Sequence, residues 1–157
     1  MAWIQTPVRL PGSKKTEIED RPSREIQSLS SRLAHCDSFA WTEGMLAAEV
    51  PLGERWPTGQ LIRQKGWEVE NRIGDGYEML PVIEDPATRG CLLDLVRRRG
   101  YPHAHCMPQD GSWVVLAPYS DREILARGEF EGEAIGLALL AVDAIAKLRE
   151  GVANEKG

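Results

Sequence analysis

Residues 101–117, YPHAHCMPQDGSWVVLA, read as a β-hairpin. Pro108-Gln109-Asp110-Gly111 is the turn, and Asp-Gly within it is the strong hairpin signal. His103–Met107 is then the first strand and Ser112–Ala117, rich in β-formers, the second. Alternate residues of a strand face opposite sides. Ala104 and Cys106 therefore point one way, toward a helical cover, and His103, His105 and Met107 point the other.

Working outward, REILARG (122–128) supplies a third strand. Upstream, EDPATRGCLLDLVRRRGY (84–101) reads as a capped helix over 85–99. Asp85 is the N-cap, Pro86 the first helical residue and Gly100 the stop. Cys91, Leu92, Leu95 and Val96 form its apolar face. Downstream, residues 132–150 form a long helix that is apolar over more than half its circumference. A helix of that kind is buried, against a sheet and another helix or against a second copy of the chain. Its buried line is expected at Leu137, Leu140, Ala141, Ala144 and Leu148, widened by Ile135, Val142 and Ile145. Gly151 is read as its stop, with 151–157 a flexible tail.

The fold class is therefore α+β: a small antiparallel sheet of about three strands, open to extension by strands from 66–83, packed against helices 85–99 and 132–150. A further helix, Pro22–His35, carries Ile26, Leu29 and Leu33 at helical spacing, with Cys36 continuing the stripe. Residues 22–150 are one domain, with a Trp-rich part over 22–83 and the helix-hairpin-strand-helix part over 84–150. Within the first part, 39–50 reads as a short helix, 50–60 as a loop, and 66–83 as two short strands around Gly74-Asp75-Gly76. Trp41, Trp56 and Trp67 pack on the other half or form a patch for a partner. Residues 1–21 read as an extended arm whose Trp3, Ile4, Val8 and Leu10 dock on the body or on a partner.

Composition excludes several classes of function. The formal net charge of −5 argues against a nucleic-acid binder. No apolar run reaches the roughly 18 residues that span a bilayer, and the N-terminus has no secretory pattern. Three cysteines without a CxxC spacing fit a reduced, cytoplasmic setting, as small buried hydrophobes. There is no phosphate-binding glycine loop, no GxSxG and no HExxH. Arg97, Arg98 and Arg99 fit a solvated helix C-terminus better than a phosphate patch. Glu129, Glu131 and Glu133 fit a helix N-terminus for the same reason. His103 and His105 are two metal ligands where a stable site needs a third and usually a fourth. His35, Cys36, Asp37, Asp110 or Asp121 could supply those through folding alone, and no metal or other cofactor is expected.

Three stretches, IEDPATRGCLLDLVRRRGY (83–101), GSWVVLA (111–117) and EGEAIGLALLAVDAIAKL (131–148), together resemble the phage ABA sandwich domain of tailed-phage and prophage proteins. The likeness spans about 84–149. It implies an α-β-α layered domain, acting inside an infected bacterium, and carries no catalytic residues across. The expected function is a non-enzymatic phage or prophage accessory protein that binds a host or phage protein, for example as an anti-CRISPR-like inhibitor. A twofold homodimer through the 132–150 helix is the other partner arrangement. The alternative is a small enzyme or metal-binding protein using His103 and His105.

Overall fold

The computed structural model describes residues 24–51, 61–66, 69–70, 76–118 and 123–156. In chain order the elements are α1 Arg24–Ala34, β1 Leu46–Pro51, β2 Leu61–Arg63, β3 Tyr77–Pro81, α2 Pro86–Arg98, β4 His105–Gln109, β5 Ser112–Leu116, β6 Ile124–Gly128 and α3 Glu131–Lys156. The strands form two separate three-stranded antiparallel sheets, β2-β1-β3 and β4-β5-β6. The architecture is α+β. The arm over 1–21, the start of α1 at Pro22, the turn at 74–76 before Gly76, and Trp56 and Trp67 lie outside the described residues.

The first sheet corrects two readings. Residues 39–50 do not form a helix: their second half is β1, the central strand of sheet 1. LAAEV carries good helix formers, so local propensity points the wrong way. Small side chains suit a strand buried on both faces, and here tertiary pairing decides. Leu46, Ala48 and Val50 pack with Leu80 and Val82 toward Ala34 of α1, while Ala47 packs with Val69 and Met79 near Trp41. Residues 77–81 likewise do not extend the hairpin sheet. They pair with β1, Ala48 opposite Leu80 and Glu49 opposite Met79.

The hairpin is present, with its turn tightened. Asp110 (φ 51) and Gly111 (φ 80) form a two-residue turn with positive φ at both positions. Strand β4 therefore runs on through Pro108 to Gln109, which pairs with Ser112, and it starts at His105, two residues later than the sequence reading. Pro108 is tolerated because of where it falls. Gln109–Ser112 closes the hairpin as a hydrogen-bonded pair, so by alternation Pro108–Trp113 is a non-hydrogen-bonded one. The N–H that proline lacks would have pointed to the free edge.

Helix α2 has the caps expected of it. The Asp85 carboxylate accepts from Thr88 N at 3.0 Å, and Gly100 takes φ +107 just past the end. Helix α3 packs on all three strands of sheet 2 and on α1 and α2. It does not stop at Gly151 but continues to Lys156, since one interior glycine costs only about 1 kcal/mol against its helix-forming neighbours. Its buried line is also different from the expected one. Ile135, Ala138, Leu139 and Val142 are buried, Leu137 and Leu140 are partly covered, and Leu148 is 70% exposed. A helix apolar over so much of its circumference gives the period but not the phase. The phase is set where neighbours crowd α3: a Cβ on Gly132 would run into the Ile83 carbonyl oxygen, and one on Gly136 would lie 3.0 Å from Leu33 Cδ1.

By contrast, Gly90 lies within α2, exposed, with nothing within 4 Å of its Cβ position. Gly90→Ala is expected to stabilise the protein by about 0.5–1 kcal/mol, read as a raised urea midpoint at constant slope.

Candidate interaction face

Sheet 2 has two unlike faces. Cys106, Trp113, Val115 and Ala126 pack on the core beneath α3. This is the alternation read from the sequence, in which Ala104 and Cys106 turn inward. The register then sets the opposite, outer face. His105 stands opposite Leu116, Met107 opposite Val114, and Val114 opposite Arg127. A bulge at Val115/Leu116 brings Ile124 opposite Leu116 and onto the same face. Val114, at the centre, is fully buried; Leu116 is half-buried; Met107 and Ile124 are 38% and 43% exposed. His105 and Arg127 are exposed around them, and Gln109 and Ser112 close the hairpin end.

The two histidines are near one another but not as the strand reading had them. His105 is in β4, whereas His103 lies in the preceding turn. Both are exposed, and His105 Nδ1 is 3.1 Å from the His103 carbonyl oxygen. The other candidate ligands are elsewhere. His35 follows α1, with Nδ1 2.8 Å from Ser31 O and 4.0 Å from Glu78. Asp37 faces Lys147. Asp110 holds the hairpin turn, and Asp121 lies outside the described residues. Among the described residues no three histidine, cysteine or acidic side chains are grouped as metal ligands would be. Purified protein is expected to carry far less than one equivalent of zinc, and added zinc to leave the melting curve in place. Near-stoichiometric metal by elemental analysis, lost in His103→Ala/His105→Ala, contradicts this.

The three thiols and two buried carboxylates, Asp85 and Asp143, are built into the fold. Burial pushes the Cys106 thiol up to about 11, with the Glu131 charge adding to it. Burial also raises Cys36, with Asp143 next, and Cys91, with Asp94 next. All three are free thiols that stay protonated at neutral pH. Asp143 is buried in α3, and its Oδ1 accepts from Ser38 N at 2.9 Å and Ser38 Oγ at 2.6 Å. Lys147 stands 3.2 Å from its Oδ2. Asp85 receives Arg63 through both guanidinium nitrogens, at 2.8 and 3.2 Å, besides the two bonds from Thr88. Thr88 Oγ1 in turn accepts Leu46 N at 2.8 Å, so this cluster ties β1, β2 and α2 together. Neither the Arg63–Asp85 link nor the Ser38–Asp143 link is visible in sequence, being contacts between residues 22 and 105 positions apart.

Burial alone would raise the Asp85 carboxyl, but the bonds from Arg63 and Thr88 outweigh it and hold it below the usual carboxylate value. Asp143 is lowered likewise, burial being outweighed by Ser38 and Lys147. A carboxylate lowered on folding stabilises the protein above its unfolded value of about 4, and that stability is lost as pH falls through the folded value. The urea midpoint is therefore expected to fall as pH drops below about 4. The Asp85→Asn protein, weaker at pH 7, should lose less over the same interval.

The arginine run is partly tied down. Arg97 Nε donates to Ala104 O at 2.9 Å and Arg98 pairs with Asp94 at 2.8 Å, as at a solvated helix end. Trp41 is half-buried edge-on to Phe39, ring centres 5.0 Å apart, and Trp113 is half-buried under α3, so neither is a free patch. Among the described residues no helix is long and apolar enough to cross a membrane. No family model, no curated protein and no solved structure matches the chain.

Proposed function

We propose that this chain is a phage or prophage accessory protein that acts without turnover, by docking the outer face of sheet 2 on a host or phage protein in the bacterial cytoplasm. The observation that carries the reading is the make-up of that face: exposed Met107 and Ile124 and half-buried Leu116, with a polar margin of His105, Arg127, Gln109 and Ser112. Protein interfaces share this plan of apolar centre and polar rim. The edge of β4 beside it is a poor site for adding a strand, because Pro108 offers no N–H there, so a partner would meet the face and its side chains. Binding rather than catalysis is supported by the protonated thiols and by the structural hydrogen bonds that occupy Asp85 and Asp143. The phage setting rests on the likeness of residues 84–149 to the phage ABA sandwich domain.

The counter-defence form of the reading is tested in bacteria with an active CRISPR system that restricts a targeted phage. Expression of the protein should restore plaquing by orders of magnitude, and a Met107→Glu/Ile124→Glu protein of unchanged melting behaviour should not. Unrestored plaquing with the wild type removes inhibition of that CRISPR system from the proposal.

A further inference from the structure

We propose that two copies of this chain pair antiparallel through the solvent-facing side of α3. Successive residues of a helix turn by about 100°. The buried line of Ile135, Ala138, Leu139 and Val142 is therefore centred opposite the line of Leu137, Leu140, Ala141, Ala144 and Leu148. The second line is as apolar as the first yet only partly covered. Leu137, Leu140 and Ala141 are half-buried, Ala144 is exposed, and Leu148 is 70% exposed. Isolated apolar side chains on a surface are ordinary, but five on one helical line are not.

The self-complementarity of that line makes a second copy its occupant. A twofold interface must present the same patch on both partners, reversed. Read in either direction, the line runs leucine, alanine, alanine, leucine at positions 137, 141, 144 and 148. With the axis between Val142 and Asp143, Leu137 of one copy meets Leu148 of the other, and the alanines cross where the helices come closest. Electrostatics agrees with the antiparallel sense. In that sense the two helix dipoles oppose one another, as a parallel pair would not allow. At 1.5 Å per residue α3 is about 39 Å long, enough for a helix pair to draw in further contacts beyond the five residues.

Sedimentation at about 100 µM, a concentration that fills a micromolar interface, should give a dimer for the wild type. Ala144→Glu/Leu148→Lys alters exposed positions, so it should keep a cooperative melt and sediment as a monomer. A monomeric wild type, or a variant still dimeric, overturns the proposal. Short bismaleimide cross-linking tests the direction. In the antiparallel pair the two residues 144 are offset by about 5 Å along the helix axis and the two residues 151 by about 25 Å. Ala144→Cys should cross-link well above the wild-type background, and Gly151→Cys should not. The reverse order overturns the antiparallel pairing.

Discussion

Leu139→Lys is expected to leave no cooperative thermal transition at neutral pH. Leu139 is fully buried in α3, within the main core cluster. Removing a buried leucine and leaving a cavity costs about 2–5 kcal/mol. Placing an unpaired ammonium there adds several more, against a total stability of roughly 5–15 kcal/mol. Leu140→Lys, one residue on, should melt cooperatively at a modestly lower temperature. Leu140 is only half-buried, and a lysine there can lay its stem along the surface and keep its charge in water. The order of the two effects reports the phase of α3, and the reverse order would place Leu140 on the core side after all.

Gly132→Ala is expected to be the other severe substitution, despite adding one methyl group to a helix. Its Cβ would run into the Ile83 carbonyl oxygen and lie 2.9 Å from the Ile83 carbonyl carbon. Both are backbone atoms of a fully buried residue two positions before the Asp85 cap, so neither can rotate away. Overpacking typically costs about 1–3 kcal/mol, and a backbone clash of this depth should reach or pass the upper end. Gly136→Ala is the control. There the nearest atom is Leu33 Cδ1 at 3.0 Å, a side-chain terminus that can shift. The gain of about 1 kcal/mol in helix propensity should offset most of that strain. Equal urea midpoints for the two variants would contradict the close α3–Ile83 crossing.

How much of this was legible in the sequence depended on how local the deciding interaction is. The Asp85 cap, the Asp110-Gly111 turn and the alternation of Ala104, His105, Cys106 and Met107 rest on neighbours in the chain, and each is found in the structure. Strand β1 was misread because LAAEV favours a helix locally, and becomes a strand through pairing with residues 61–63 and 77–81. The sequence reading puts Pro108 in the turn, whereas it lies in β4, an edge strand where its missing N–H costs nothing. The phase of α3 does not follow from a pattern apolar over more than half the circumference; Gly132 and Gly136 are the residues that hold it. The outer face was half visible. Met107 and His105 were placed on it, while Val114, Leu116, Ile124 and Arg127 join only once the register and the bulge are known.

The most direct test of a docking role for that face is affinity capture from phage-infected bacterial lysate, quantified by mass spectrometry. The wild type is compared with a Met107→Glu/Ile124→Glu protein of equal melting temperature. The account predicts one protein strongly enriched by the wild type and depleted at least tenfold with the variant, with Leu148→Lys capturing it normally. Equal capture by the wild type and the Met107→Glu/Ile124→Glu protein, or loss of capture with Leu148→Lys alone, would contradict it.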